Sequence, residues 1–127
     1  MDHNVFSEIT PEIVRLAGMS EQAGIIDTDL FTKYDVKRGL RDLNGKGVLA
    51  GLTNISDVRA SKVVDGVQVP THGRLFYRGY DVKDLVDGFA GENRFGFEEV
   101  TYLLLFDKLP DREELAQFTR LLSGYRS

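Results

Sequence analysis

The sequence has no cysteine, and this absence excludes a disulfide framework, thiolate-bound zinc, iron–sulfur clusters and thiol catalysis. It also fits a reducing compartment. Long apolar runs are missing too. The longest, Tyr102-Leu103-Leu104-Leu105-Phe106, falls far short of the roughly 20 residues a membrane span needs, so no membrane partner is expected. The start, Met1-Asp2-His3-Asn4, leads into no apolar stretch and does not read as a secretory signal. Basic charge is in deficit: 16 Lys+Arg against 20 Asp+Glu leave a net charge of −4, so a footprint able to neutralise a run of phosphates is lacking and nucleic acid is not the expected partner. What remains, 42% hydrophobic and 28% charged over 127 residues, reads as a soluble, cytoplasmic, globular chain of one domain's length.

The patterning predicts a mainly α fold with a small β element of two or three strands. Residues 1–36 read as a helical region. Thr10-Pro11 is a start signal, Ile9, Ile13, Leu16 and Ala17 recur at helical spacing, Gly18 or Gly24 can end the helix, and Asp27 can cap a second, short one. Residues 37–80 read as loop and β element. A glycine-rich stretch over 38–47 precedes a short strand over Val48–Ser56. Asp65-Gly66 between β-branched flanks marks a tight hairpin, and Gly73–Gly79 is a further strand. Residues 81–127 read as three helices. Asp81 caps the first, with Gly88 and Gly91 after it. The second, over Phe97–Phe106, carries Phe97, Val100 and Leu104 on one face, is apolar nearly all round, and stops at Pro110. Asp111 and Glu114 form a capping box for the third, whose stripe is Leu115, Phe118 and Leu122, with Gly124 past its end. The nearly all-apolar second helix needs walls that so few elements cannot supply. The chain is therefore expected to be one incomplete domain, 1–127, the opening portion of something larger.

Searches for chemistry return no catalytic residue and no metal site. His3 and His72 lack a second ligand at metal spacing and read as solvated loop histidines. The cluster Gly45-Lys46-Gly47 lacks the Ser or Thr of a P-loop and precedes a strand instead of a helix. Glu98-Glu99, Glu113-Glu114 and Asp81 with Asp84 fall in first helical turns, where the helix dipole favours negative charge without any acid–base role. The serines, at 7, 20, 56, 61, 123 and 127, lie in no nucleophile-elbow context.

Specific strings say more. Gly73-Arg74-Leu75-Phe76-Tyr77-Arg78-Gly79-Tyr80-Asp81-Val82-Lys83-Asp84-Leu85 resembles the opening signature of the citrate synthase family. Phe97–Phe106, Lys108-Leu109-Pro110 and Arg112-Glu113-Glu114-Leu115 resemble its next two helices, in the same order and separation. Lys33–Asp42 and Gly47–Ser56 are similar to the longer N-terminal region of some bacterial members.

The resemblance implies the N-terminal part of the large, mostly helical domain of a dimeric acyltransferase. Such an enzyme condenses acetyl-CoA with oxaloacetate, and water then releases citrate and CoA in the tricarboxylic acid cycle, with no cofactor beyond the substrates. An aspartate and two histidines carry that chemistry and arginines clamp the oxaloacetate carboxylates. All lie in family motifs downstream of anything matched here, so the chain alone is expected to be inactive. One binding residue is implied: Arg41, in Gly39-Leu40-Arg41, where some relatives place an arginine on a CoA phosphate. Read from the residues alone, Arg41 is a solvated loop arginine. A 2-methylcitrate synthase segment would look the same, and a free-standing interaction module derived from the family is the competing reading.

Overall fold

The computed structural model describes residues 5–126, so His3 and Ser127 lie outside the described residues. The described residues form two units, one made of residues 5–23 with 55–126 and the other of Gly24–Asn54.

In the larger unit a short 3-10 turn at Val5–Ser7 precedes helix α1, Pro11–Ala23. Thr10 starts it as its sequence suggests, its hydroxyl accepting from the Ile13 amide at 3.2 Å. The helix runs through Gly18 and stops before Gly24.

An antiparallel ribbon follows after the intervening unit: β1, Ser56–Val64, pairs with β2, Val67–Tyr77, and β2 pairs with β3, Tyr80–Asp81. Asp65 and Gly66 form the two-residue turn, with φ of 50° and 77°, the left-handed pair that matches strand twist. Two expectations need correction. The strand over Val48–Ser56 is absent: backbone over 49–55 is irregular, and pairing starts at Ser56. The polar groups of Val48 and Leu49 are taken up by their own loop, through Val48 N–H to the Leu40 carbonyl and the Leu49 carbonyl to Lys37 N–H. The separate strand over Gly73–Gly79 is instead the end of one long strand. Pro70 does not interrupt it, because the register shifts between Arg59 and Ser61 and leaves β2 with extra residues there.

Helix α3, Val82–Gly91, is capped by Asp81, whose side chain accepts from the Lys83 amide. Gly88 sits within it, not after it. Helix α4, Phe97–Phe106, ends at Asp107, in the left-handed conformation at φ 58°, three residues before Pro110. Its buried side chains are Tyr102, Leu103 and Phe106; Phe97, on a helix expected to be buried nearly all round, is 71% exposed. Helix α5, Arg112–Gly124, begins with the expected capping box and includes Gly124 in its last turn.

The core is Leu16 of α1, Tyr102 and Phe106 of α4 and Phe118 of α5, with Met19, Leu121 and Leu122 packed on it. Its three rings meet edge to face at 4.6–5.9 Å, the arrangement their quadrupoles favour. The ribbon stands largely outside this core. Every residue of β1 is exposed, and Phe76 of β2 is covered on its face by the guanidinium groups of Arg59 and Arg74, 4.6 and 4.8 Å from the ring centre.

The smaller unit contains α2, Asp29–Lys33, where the Asp27 carboxylate accepts from the Asp29 amide at 2.9 Å one residue ahead of the cap position, Thr28. Among the described residues of Gly24–Asn54, none is buried. No helix among the described residues is long and apolar enough to cross a membrane.

Candidate functional site

Of the carboxylates singled out in the sequence, Asp81, Glu98, Glu99, Glu113 and Glu114 are committed to local structure. Asp81 divides its two oxygens: one caps α3, and the other accepts from Arg74 at 2.7 and 3.0 Å. These contacts, the Arg74 guanidinium first and the Lys83 amide second, hold its carboxyl below the usual carboxylate range. Glu99 pairs with Arg94 at 2.7 Å, Glu98 with Arg126 at 3.3 Å, and Glu113 accepts from Gln117.

Glu114 carries the densest polar network. It closes the capping box by accepting from the Asp111 amide at 2.9 Å while its own amide donates to Asp111, and it pairs with Lys108. The Lys108 bond first, then the backbone bond to Asp111, keep its carboxyl below its ordinary value, and Lys108 is raised in return. Tyr102, 2% exposed beside it, is pushed up, by burial first and by the Glu114 charge second. Glu12, Arg15 and Gln117 complete the wall of a small cavity of about 210 Å³ over this phenol. Glu114 is engaged by Lys108 and the Asp111 amide, and Arg15 and Gln117 donate to Met19 and Glu113; among the described residues no buried side-chain nitrogen or oxygen lacks a partner.

Of the two histidines, His72 is exposed in the irregular part of β2. No group of three or more metal-ligating side chains converges among the described residues.

Arg41 lies in the smaller unit, on a loop closed by its bridge to Gly47 and by Asp42 N–H donating to the Lys46 carbonyl at 2.8 Å. The Asp42 and Asn44 side chains accept from the Leu43 and Lys46 amides, and Gly45 takes φ 78° to complete the turn. The Arg41 guanidinium is exposed and donates to the Gly45 carbonyl at 3.2 Å. Arg38, Arg41 and Lys46 are thus exposed along one short loop, with the geometry of a surface turn.

A residue to which the reading of the sequence assigned no role is the most tightly held cation. Arg78 and Gly79, at φ 47° and 85°, form the two-residue turn between β2 and β3, where Asn or Asp usually precedes the glycine. The Arg78 side chain is 3% exposed. Its Nε and Nη2 donate to the Leu104 carbonyl at 3.1 and 2.8 Å, and its Nη1 donates to the Ala23 carbonyl at 2.9 Å. The signal in the sequence was the arginine itself, a residue turn chemistry does not ask for at that position.

The segment that carries the family-like signature is therefore the ribbon end, the Arg78 turn and the Asp81-capped helix, and comparison with known proteins bears directly on it. The family model described as "Citrate synthase, C-terminal domain" matches residues 40–127. The chain is 38% identical over 96 residues to 2-methylcitrate synthase 2 of Corynebacterium glutamicum, covering 76% of this chain and 20% of that protein. It is 46% identical over 52 residues to 2-methylcitrate synthase of Shewanella oneidensis, covering 41% of this chain and 12% of that protein. A citrate synthase-related protein of Dictyostelium discoideum is 40% identical over 52 residues, 41% of this chain and 11% of that protein. No solved structure gives a significant match. The chain spans about a fifth or less of the length of these relatives. With the matched model covering more than half of its residues, the chain belongs to the citrate synthase family.

Proposed function

We propose that this chain is the N-terminal portion of the large domain of a cytoplasmic, dimeric citrate or 2-methylcitrate synthase, and that its part in the enzyme is architectural. In the reaction proposed for the whole enzyme, a base removes a proton from the acyl carbon next to the thioester. The resulting enol-like nucleophile forms a carbon–carbon bond to the oxaloacetate carbonyl, and water cleaves the thioester to release CoA. The reading is supported by the family match across residues 40–127 together with the small share of each relative that the chain spans. It is also supported by the local commitment of the carboxylates in the signature region to caps and ion pairs.

The curated relatives named above include two 2-methylcitrate synthases, which favours propionyl-CoA over acetyl-CoA as the acyl donor. Arg41 remains the candidate for a CoA phosphate, as an exposed cation on a turn.

The test measures CoA release with oxaloacetate and either thioester, for the 127-residue chain and for the complete natural polypeptide that carries it. The complete polypeptide turns over, faster with propionyl-CoA, and the 127-residue chain does not. Turnover by the 127-residue chain would show that the reacting groups are within it. A monodisperse, cooperatively melting chain that captures a partner, with no synthase activity in any longer product, would favour the interaction-module reading.

A further inference from the structure

Helix α1 is held to the rest of its unit by little apolar surface. Of its described side chains Leu16 is the buried one, Ile13 and Met19 are partly covered, and Val14 is 59% exposed. Its C-terminal end meets that of α4 at Arg78. Helix C-termini carry partial negative charge on carbonyls without intrahelical partners, so two such ends repel unless a cation stands between them. The Arg78 guanidinium does so. Nη1 binds the Ala23 carbonyl of α1, Nε and Nη2 bind the Leu104 carbonyl in the last turn of α4, and Asp107, the residue that ends α4, stands 4.0 Å away. The backbone beneath it adopts φ 47°, a conformation the two-residue β2–β3 turn requires and one disfavoured for arginine.

We propose that α1 is a detachable helix latched to α4 by Arg78, so that breaking this one set of hydrogen bonds releases α1 as a unit and uncovers the Tyr102, Phe106 and Phe118 face it partly covers. The latch lies at the α1 end farther from Pro11, and Leu16, with Met19 and the half-buried Ile13, provides the remaining attachment. Docked and released states then differ by a few charge-assisted hydrogen bonds and the apolar contacts of Leu16, Met19 and Ile13, the scale of local opening and not of global unfolding.

The test is hydrogen exchange resolved by helix on the 127-residue chain and its Arg78→Asn and Arg78→Lys variants. Asparagine is the better residue for the turn, so Arg78→Asn removes the guanidinium without penalising the β2–β3 connection. Exchange of the α1 amides should accelerate roughly 10- to 100-fold in Arg78→Asn, the loss expected for charge-assisted hydrogen bonds. The α5 amides should change by less than about threefold. Arg78→Lys, which keeps the charge but cannot span both carbonyls, should fall between them. Three results overturn the proposal: α1 exchange unchanged in Arg78→Asn, α1 and α5 accelerated together, or α1 already unprotected in the parent chain.

Discussion

Arg74 and Asp81 join the β ribbon to the helix that follows it. The Arg74 guanidinium, lying over Phe76 of the ribbon, binds one Asp81 oxygen at 2.7 Å, and the other oxygen caps α3 through the Lys83 amide at 3.0 Å. The order of two substitutions tests this double role. Asp81→Asn keeps an N-cap acceptor and loses the ion pair, whereas Asp81→Ala loses both. Urea unfolding should rank stability as parent above Asp81→Asn above Asp81→Ala. Equal midpoints for Asn and Ala would show that capping contributes nothing.

The same groups set the acid limb of stability. Asp81, Glu92 and Glu114 are each held below the ordinary carboxylate values of 3.8 and 4.5 by a hydrogen-bonded arginine or lysine. A depressed folded value means that the contribution is complete above the unfolded value and is lost as pH falls through the folded one. The urea midpoint should therefore hold above the ordinary values and decline below them. Lys108 is raised above 10.5 by Glu114, so its contribution is complete below that value and lost as pH rises through the folded one. In Glu114→Gln both limbs should shrink. A parent-like acid limb in that variant would remove Glu114 from the account.

Leu103 is fully buried, at 0% exposure, on a helix whose apolar residues run nearly all round. Leu103→Ala should cost about 2–5 kcal/mol, as buried leucine truncations do when the surroundings cannot collapse. Phe97→Ala, on the same helix but 71% exposed, should cost about 0.5 kcal/mol or less. Chemical denaturation of the two variants compares the buried and exposed faces of α4 directly.

Gly96, at the start of α4, has an ordinary φ of −99°, so backbone conformation does not demand glycine there. Space does. A Cβ on Gly96 would fall 2.2 Å from the Phe89 ring. Gly96→Ala should destabilise by about 1–3 kcal/mol through this overlap. The double variant with Phe89→Ala should recover part of that loss, read as non-additivity in a mutant cycle.

Much of the framework was legible in the residues because its signals act over a few positions. Asp65-Gly66 makes the hairpin, Asp81 caps α3, Asp111 and Glu114 make the capping box, and Thr10 starts α1. Each is a donor or acceptor satisfied within about four residues, so sequence spacing is sufficient to find it. The errors arise where spacing stops being sufficient. Val48–Ser56 has strand-like composition, but its hydrogen bonds at Val48 and Leu49 go to the preceding loop. Periodicity on a helix that is apolar nearly all round cannot choose which side faces inward, and α4 turned Tyr102, Leu103 and Phe106 to the core. Arg41 is not among them: an exposed cation bonded within its own turn suits both the solvated loop arginine read from the residues and the CoA-phosphate role the resemblance implies.

The sequence by itself determined where helices begin, where the ribbon turns, and to which family the chain belongs, because those depend on neighbouring residues and their order. The tertiary structure decided which face of α4 is buried and what Arg78 does. The acceptors of Arg78 lie 26 and 55 residues away, on two helix ends that come together only when the chain folds, and no local pattern encodes a hydrogen bond at that separation.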